Sequence, residues 1–409
     1  MTVTVDNYSE IIGADVIEEL RVLADRVRDI KVQHINSTPV GGGVAEILTR
    51  LIPLMRSLGL ETAWDVIKGD SAFFGVSKTF HNALHGHPVE ITPEMFDVFR
   101  ETTEMNAAEM EFSGDVIFVH DPQPVGLVES RAAVGRNWIW RCHIDLSAPN
   151  EEVWRFLCPF VEQYDAAIVS MPEFAQAMSI PQYLITPSID PLSEKNKELE
   201  AGYIESVLSK YGIDPGRPIL TQISRFDRLK DPLGVIAAYR MVKRRFNCQL
   251  VLAGGGAADD PEGMEVFNEV REFAGDDPDV HILLLPPFSD LEINALIRGS
   301  TLVFQKSVKE GFGLTVSEAL WKRKPVVGGA VGGIKLQVID GVTGYLVHSP
   351  EGAASRASEL LANPELCKKM GDYGYEHVKQ NFLMTRQLQD YMLMLLAVRH
   401  PDEDIVNLE

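Results

Sequence analysis

Short apolar segments alternate with segments of helical period along nearly the whole chain. Such alternation is typical of βαβ units, in which helices connect the strands of a parallel sheet. The pattern predicts two successive series of six strands, at 31–36, 62–67, 115–120, 137–143, 166–170 and 183–186, then at 218–224, 249–254, 280–285, 301–305, 325–329 and 344–347. We therefore expect an α/β protein with two doubly wound domains, each built on its own sheet.

A seam between the two series is predicted in "TPSIDPLSEKN" (186–196), which is rich in Pro and Ser and then becomes polar, as linkers do. We place the first domain at 1–190 and the second at 191–382. The last helical segment, near 385–398, has apolar residues on several faces. We therefore expect residues 383–409 to pack back onto the first domain, with the tail 401–409 in solvent.

Composition narrows the class of protein further. The 409 residues carry a net charge of −21, which disfavours a general binder of nucleic acid or anionic membranes. The acidic N-terminal segment lacks the basic start of a signal peptide, and no apolar run approaches about 20 residues. We expect a cytoplasmic protein. The four cysteines show no C-x-x-C spacing, so reduced, mostly buried thiols are expected rather than a zinc or redox site.

Three consecutive glycines, Gly41–Gly43, stand between the first strand and a helix marked by an apolar stripe that begins at Val44. Unpaired N–H groups at a helix N-terminus attract anions, so the loop predicts a phosphate site, with a plain tight turn as the alternative. A dinucleotide fingerprint would need Gly or Ala where Glu46 stands, which weakens that interpretation without excluding it. A Walker A loop is absent, because no Gly-Lys-Ser/Thr follows.

Two cations follow the first strand of the second series. In "SRFDRLKDP" (224–232), Arg225 and Lys230 precede Asp231, a favourable N-cap, and Pro232, which suits the first helical position. Doubly wound sheets bind ligands at the carboxyl ends of their strands, so the two cations could neutralise a diphosphate leaving group. The alternative is a pair of solvated surface charges.

A second glycine loop occurs in "KEGFGLTVSEAL" (309–320), where Glu310 precedes Gly311-Phe312-Gly313 and the following helix carries Glu318. Glu310 could accept hydrogen bonds from sugar hydroxyls, and Glu318 could accept them from a ribose diol. Two glutamates eight positions apart are weak evidence alone. Beside a glycine pair, and with Arg225 and Lys230 upstream, they become strong evidence for a nucleotide-sugar site.

The elements "GGGV", "SRFDRLKDP", "EGFGLTVSEAL" and "GGAVGGI" (328–334), in that order, resemble the retaining nucleotide-sugar glycosyltransferases of family four. That family has the GT-B fold, in which two Rossmann-like domains face each other across a cleft. The stretches "HINSTPVGGGVAEIL", "VHDPQPVGL" and "WRCHIDLS" resemble the trehalose-forming subgroup, which joins an NDP-glucose to free glucose. Retaining trehalose phosphorylases share similar stretches and remain the main alternative. A Rossmann oxidoreductase or a non-catalytic nucleotide-binding module is the other alternative, which Glu46 and the second glycine loop disfavour.

The resemblance also implies roles for individual residues. The catalytic set would be Glu310, His143, Arg225 and Lys230. Donor-binding residues would be Gly42, Gly43, Val44, Arg225, Lys230, Glu310, Gly311, Phe312, Gly313, Leu314, Thr315 and Glu318. Acceptor-binding residues would be Asp121, Gln123, His143 and Asp145, for which loop capping by Asp and His is the alternative. In this scheme the first-domain glycines and the second-domain cations would contact one diphosphate from opposite sides.

The implied reaction is glucosyl transfer with retention, forming α,α-trehalose from NDP-glucose and glucose, with the physiological direction left open. The leaving diphosphate would accept the acceptor proton, so a hydrolase-type carboxylate pair is not needed. UDP-glucose, ADP-glucose and a GDP donor are not distinguished by any side chain. No tightly bound cofactor and no metal site are expected, although Mg²⁺ could stimulate the reaction. We expect neither a nucleic acid nor a membrane partner, and a homodimer is compatible with the sequence.

Overall fold

The computed structural model describes residues 3–40, 42–255 and 261–400. The chain divides into two compact units. One runs to Ser188 and resumes at Met384; the other spans Ile189–Leu383. The break at 188/189 lies within the segment 186–196, two residues before the boundary predicted from the sequence.

The first unit is built on a parallel sheet of six strands in the order β2-β1-β3-β4-β5-β6. Its strands are β1 Val32–Asn36, β2 Thr62–Val66, β3 Val116–His120, β4 Asn137–Arg141, β5 Ala166–Val169 and β6 Gln182–Leu184. Its helices before the break are α1 Ser9–Ile12, α2 Ala14–Val27, α3 Gly43–Ser57, α4 Ser71–Leu84, α5 Pro93–Glu109, α6 Arg131–Val134 and α7 Glu151–Val161. Every residue of β1 and β3 is buried, as expected for strands covered on both faces.

The second unit repeats this plan, with a parallel sheet in the order β12-β11-β10-β7-β8-β9. Its strands are β7 Ile219–Ile223, β8 Gln249–Gly255, β9 Val280–Leu285, β10 Leu302–Gln305, β11 Val326–Gly329 and β12 Gly344–Val347. Its helices are α8 Ala201–Lys210, α9 Pro232–Lys243, α10 Pro261–Ala274, α11 Asp290–Gly299, α12 Leu314–Trp321, α13 Ile334–Gln337, α14 Pro350–Ala362 and α15 Pro364–Asn381. The α/β class with two Rossmann-like domains is thus confirmed.

Two strands end two residues earlier than the sequence predicts. The prediction for β4 extends to residue 143, but the strand ends at Arg141, which places Cys142 and His143 in the following loop. The prediction for β6 extends to Thr186, but the strand ends at Leu184. Pro187 has no backbone N–H to donate to a neighbouring strand, and the chain leaves the sheet before it. The first of these differences is the more important, because it places His143 beyond the sheet edge.

The last helix, α16 Met384–Arg399, belongs to the first unit. It packs against α2 and α3, and its buried residues lie on several faces. Arg399 Nη1 lies 2.7 Å from Asp29 Oδ1, and Arg386 Nη2 donates to the Thr186 carbonyl oxygen at 2.6 Å. The predicted solvated tail, 401–409, lies outside the described residues.

The four cysteines are free and mostly buried, as the sequence predicts. Cys142, Cys248 and Cys367 are buried free thiols, and Cys158 is half-buried and free. Within the part of the chain that the structure describes, no helix is long and apolar enough to cross a membrane.

Candidate active site

Each sheet reverses its strand order once, between β1 and β3 in the first unit and between β7 and β10 in the second. In open α/β sheets, ligands bind outside the carboxyl ends of the strands at this reversal. The site residues predicted from the sequence all follow β1, β3, β4, β7 or β10. Each unit therefore carries a candidate half-site in the place where this architecture binds ligands.

Glu310, which follows β10, is held by three donors on one carboxylate oxygen. Its Oε2 lies 2.6 Å from Lys230 Nζ and 3.0 Å from both Gln305 Nε2 and Ser307 Oγ. The residue is 8% exposed. Within the described part of this unit, no hydrogen bond reaches Oε1. One oxygen is thus fixed by the protein, and the other remains available as an acceptor for a ligand.

The loop that carries Glu310 depends on glycines in the segment 328–334. Gly332 has φ +44°, and a β-carbon there would stand 1.7 Å from the Glu310 carbonyl oxygen. A β-carbon at Gly329 would stand 2.2 Å from the Ser307 carbonyl oxygen. Only glycine allows backbone segments to approach so closely. The "GGAVGGI" stretch therefore makes the space in which the Glu310 loop lies.

Helix α12 begins directly after this loop, at Leu314, and its first backbone N–H groups have no helical partner. Thr315 Oγ1 donates to the Ile223 carbonyl oxygen at 3.2 Å, which links the helix start to the end of β7. Gln337 Nε2 donates to the Phe312 carbonyl oxygen at 2.6 Å. The Phe312 ring is 6% exposed and packs beside Phe382. Phe312 can therefore offer a ligand mainly its backbone.

Glu318 lies on α12 and is 2% exposed. Its Oε1 is 3.6 Å from Lys195 Nζ, and no hydrogen-bond donor among the described residues reaches that oxygen. Nearby, Lys322 Nζ donates to Asn196 Oδ1 at 2.7 Å and to the Glu318 carbonyl oxygen at 3.1 Å, while burial lowers the pKa of Lys322 to about 7. Glu318 thus offers a buried acceptor with an unused hydrogen-bonding position.

The two predicted cations have different surroundings. Lys230 is engaged by Glu310, whereas Arg225 is exposed and has no ion pair or hydrogen bond with the described residues. A β-carbon at Gly254 would stand 1.8 Å from the Ser224 carbonyl oxygen, so this glycine fixes the backbone just before Arg225. Arg225 is therefore the cation free to meet an anion, and Lys230 serves first to orient Glu310.

In the first unit, Gly42 is the N-cap of α3, with φ +81°, and Gly43 is the first helical residue. Gly41 lies outside the described residues. Val44 is half-buried, and the stripe that follows it contributes Ile47, Leu48, Leu51 and Met55 to the core. The first-turn amides of α3 thus follow the carboxyl end of β1, as the sequence predicts.

Asp121 and Asp145 both cap loop backbone, as the alternative interpretation proposes. Asp121 has φ +65°, and its Oδ1 accepts a hydrogen bond from the His143 backbone N–H at 2.7 Å. Asp145 Oδ1 accepts one from the Ser147 N–H at 2.9 Å. Gln123 Oε1 is buried without a partner among the described residues. Asp121 thereby ties the loop after β3 to the loop after β4, where His143 lies.

Several residues of these sites cannot be identified from the sequence. Gln305, Ser307 and Gln337 hold the Glu310 loop, but single polar residues in apolar surroundings carry no recognisable signal. The same holds for His34 and His120, which are buried in β1 and β3 and form a hydrogen-bonded line with His143. Trp138 and Trp140, in β4, are core residues and are at most 1% exposed.

No group of three or more His, Cys, Asp or Glu side chains in residues 3–40, 42–255 and 261–400 is arranged to hold a metal ion. In the D-x-D stretch at 277–279, just before β9, Asp279 forms ion pairs with Arg217 and Lys243. These pairs lower the pKa of Asp279 to about 2. Its carboxylate is therefore engaged by protein cations.

The surroundings of Asp121 give a pH-dependent prediction. Burial raises the pKa of this carboxyl to about 6, although the hydrogen bond from the His143 backbone N–H and the charge of Arg141 lower it in part. The folded protein therefore binds the proton more tightly than the unfolded chain, whose pKa is about 3.9. Hence the contribution of Asp121 to the free energy of unfolding falls as pH rises from about 4 to about 6 and stays lower above that range.

We expect Asp121→Asn to raise the Tm by roughly 2–4 °C at about pH 8, because a buried amide costs less than a buried carboxylate. The amide oxygen can still accept the His143 N–H. At about pH 4, near the pKa of the carboxyl in the unfolded chain, the difference should largely vanish. Calorimetry at both pH values measures this, and a variant less stable than the parent at both would contradict the assignment.

Family models match both halves of the chain. Residues 34–176 match "Trehalose synthase, N-terminal domain", and residues 204–377 match "Glycosyl transferases group 1". A trehalose synthase of Thermococcus litoralis is 44% identical over 396 residues, covering 95% of this chain and 96% of the relative. This chain belongs to the trehalose synthase family of group 1 glycosyltransferases.

Two further matches of this trehalose synthase family member have lower sequence identity. A trehalose phosphorylase of Pleurotus pulmonarius is 28% identical, covering 91% of this chain but only 58% of the relative. Among solved structures, sucrose-phosphate synthase from Thermosynechococcus elongatus has a TM-score of 0.70 at 19% identity, covering 90% of this chain and all of that one. The fold class is that of the GT-B glycosyltransferases, and the chain is a hexosyltransferase.

Proposed function

We propose that this enzyme transfers glucose from NDP-glucose to free glucose with retention of configuration, forming α,α-trehalose. The observation that carries the proposal is the fixed Glu310 carboxylate beside Lys230, at the strand-order reversal of the second unit. Family membership supports it, because glycosyltransferases of this kind use nucleotide-sugar substrates. In this proposal Glu310 Oε1 accepts hydrogen bonds from hydroxyls of the donor sugar.

The nucleotide part of the donor would be held by the same unit. Glu318 would accept the ribose hydroxyls, for which its buried and unused Oε1 is suited. Arg225 would meet the diphosphate, together with the N–H groups of Gly311, Phe312, Gly313, Leu314 and Thr315. Cations and preorganised N–H groups stabilise the charge that develops on a leaving diphosphate.

The first unit would supply the other contacts. Amides of Gly42, Gly43 and Val44 are suited to a phosphate because they begin α3, where the helix dipole is positive. His143 would lie beside the reacting sugar, and Asp121, Gln123 and Asp145 would meet hydroxyls of the acceptor glucose. The acceptor proton would pass to the leaving diphosphate, so the chemistry needs no additional carboxylate base.

A trehalose phosphorylase is the second candidate, supported by the relative at 28% identity. It would exchange trehalose and phosphate for glucose and glucose 1-phosphate. The buried acceptor on Glu318 favours the transferase, since a ribose-binding carboxylate has no purpose without a nucleotide.

The deciding experiment incubates the enzyme with UDP-, ADP- or GDP-glucose, with and without glucose, and measures trehalose and released NDP by chromatography. We expect both products in equal amounts, and only when glucose is present. A parallel incubation with trehalose and inorganic phosphate should yield no glucose 1-phosphate. Phosphate-dependent cleavage without turnover of any nucleotide donor would overturn the proposal.

A further inference from the structure

Three histidines form a continuous hydrogen-bonded line in the first unit. His34 Nδ1, in β1, lies 3.0 Å from His120 Nε2, at the end of β3. His120 Nδ1 lies 3.2 Å from His143 Nε2, in the loop after β4. His34 and His120 are at most 1% exposed, whereas His143 is half-buried. The line therefore runs from the core of the sheet to the predicted site residue at its edge.

The three rings are held in the neutral form. Burial lowers the pKa of His34 to about 3 and the pKa values of His120 and His143 well below their ordinary range. Arg141, whose side chain is fully buried, adds positive charge that further lowers the pKa values of His120 and His143. The other titratable groups beside Arg141 are Asp121, Cys142, Tyr391 and Arg386. An added proton on the line would thus stand next to a permanent cation.

A line of three neutral imidazoles has only two consistent proton arrangements, because each ring carries one N–H and one lone pair. In the first, His34 donates to His120 and His120 donates to His143, so His143 carries its proton on Nδ1. In the second, every bond is reversed and His143 Nδ1 holds a lone pair. The two arrangements differ in what His143 offers to a ligand.

The buried end of the line favours the first arrangement. His34 Nε2 is buried and has no partner among the described residues, and its ring is stacked on Phe118 at 5.0 Å. The second arrangement would place an N–H on this nitrogen, and orphaned buried N–H groups are rarer in proteins than under-satisfied acceptors. The first arrangement leaves only a lone pair there.

We propose that His34 and His120 are positioning residues that hold His143 as a neutral ring with its proton on Nδ1, so that His143 presents an N–H donor to substrate. The functional part of this inference rests on the proposed function, in which His143 lies beside the reacting sugar. No hydrogen bond from the described residues reaches His143 Nδ1, so this N–H is available. His143 then binds a substrate oxygen and does not act as the base, which fits a proton that leaves with the diphosphate.

Nitrogen-15 NMR of histidine-labelled protein tests the tautomers directly and without substrate, so its outcome is independent of the proposed reaction. The signals are assigned with variants in which one histidine at a time is replaced. We expect His34, His120 and His143 all to be Nδ1–H tautomers that do not titrate between about pH 6 and about pH 8. A His143 that is charged in this range, or that carries its proton on Nε2, would overturn the proposal.

Variants at His120 then test the effect on transfer. His120→Phe removes the donor to His143 Nε2, whereas His120→Asn places an amide N–H near the position of Nδ1. We expect His120→Phe to lower kcat by roughly tenfold to a hundredfold, and His120→Asn to recover most of this loss. Val119→Ala, in the same buried strand, controls for loss of packing and should keep kcat.

The NMR spectra and the kinetics together distinguish a failure of the positioning role from a failure of the proposed function. Equal kcat for His120→Phe and Val119→Ala, despite the expected tautomers in the parent, would refute the positioning role. If His120→Phe does not fold, His120→Asn and the spectra of the parent still decide. Absence of any transferase activity in the parent would overturn the proposed function and leave the tautomer result standing.

Discussion

Replacing Glu310 by Gln is expected to lower the glucosyl transfer rate by about a hundredfold to a thousandfold while the fold is retained. The amide oxygen can take the place of Oε2 and accept from Lys230, Gln305 and Ser307. The amide nitrogen then replaces Oε1, so an acceptor of hydroxyl protons becomes a donor. Steady-state kinetics with the nucleotide donor that supports turnover measure the loss, and a thermal melt reports the fold.

Glu269→Gln is a matched control. Glu269 Oε2 lies 2.6 Å from Arg228 Nη1, so it also pairs with a cation of the segment 228–230, but the pair is exposed to solvent. Exposed ion pairs contribute about 0–1 kcal/mol, and this variant should keep both activity and stability. If Glu310→Gln transfers glucose as fast as Glu269→Gln does, Glu310 does not contact the donor sugar.

Gly332→Ala is expected to abolish most of the activity by displacing the Glu310 loop. The new β-carbon would stand 1.7 Å from the Glu310 carbonyl oxygen, so the loop backbone must shift. Displacements of about 1 Å at a catalytic group can cost on the order of a hundredfold in rate. The variant should also lose about 1–3 kcal/mol of stability through overpacking, and about 1–2 kcal/mol more because φ is positive.

Gly341→Ala is the control that distinguishes the effect of the steric clash at Gly332 from the effect of backbone strain at positive φ. Gly341 has φ +73°, but a β-carbon there would have nothing within 4 Å. This variant should lose about 1–2 kcal/mol of stability and retain normal transfer kinetics. Kinetics and denaturant unfolding of both variants measure the difference. Equal kcat for the two glycine variants would mean that the Glu310 loop tolerates displacement and that its precise position is not required.

The strands could be predicted from the sequence because both sheets are parallel and covered on both faces. Strands such as β3 and β5 are buried at every position, so they appear as short, mainly apolar runs between segments of helical period. Asp231 as an N-cap followed by Pro232 was equally predictable, since capping depends on local geometry, and the Asp231 side chain does accept the Gly234 N–H. The position of Glu310 on a loop and of Glu318 in the following helix came from the same local pattern.

Contacts between segments that are far apart in the sequence cannot be predicted from such local patterns. From the sequence, Lys230 is expected to contact the diphosphate and Glu310 the sugar hydroxyls. In the structure, Lys230 Nζ lies 2.6 Å from Glu310 Oε2, because β7 and β10 are neighbours in the sheet. The clearance that Gly332 gives to Glu310 likewise depends on two loops that meet only in the folded unit.

The sequence by itself determined the α/β class, the two series of strands and the family, because these depend on periodicity and on short motifs that are contiguous in the chain. Which side chains form hydrogen bonds or ion pairs with one another depends on the folded structure. His34, His120 and His143 lie far apart in sequence and on three different segments, and only the order β1-β3-β4 in the sheet brings their rings into line. Hydrogen bonds act over about 3 Å, so their partners are set by the packing of strands and not by position in the chain.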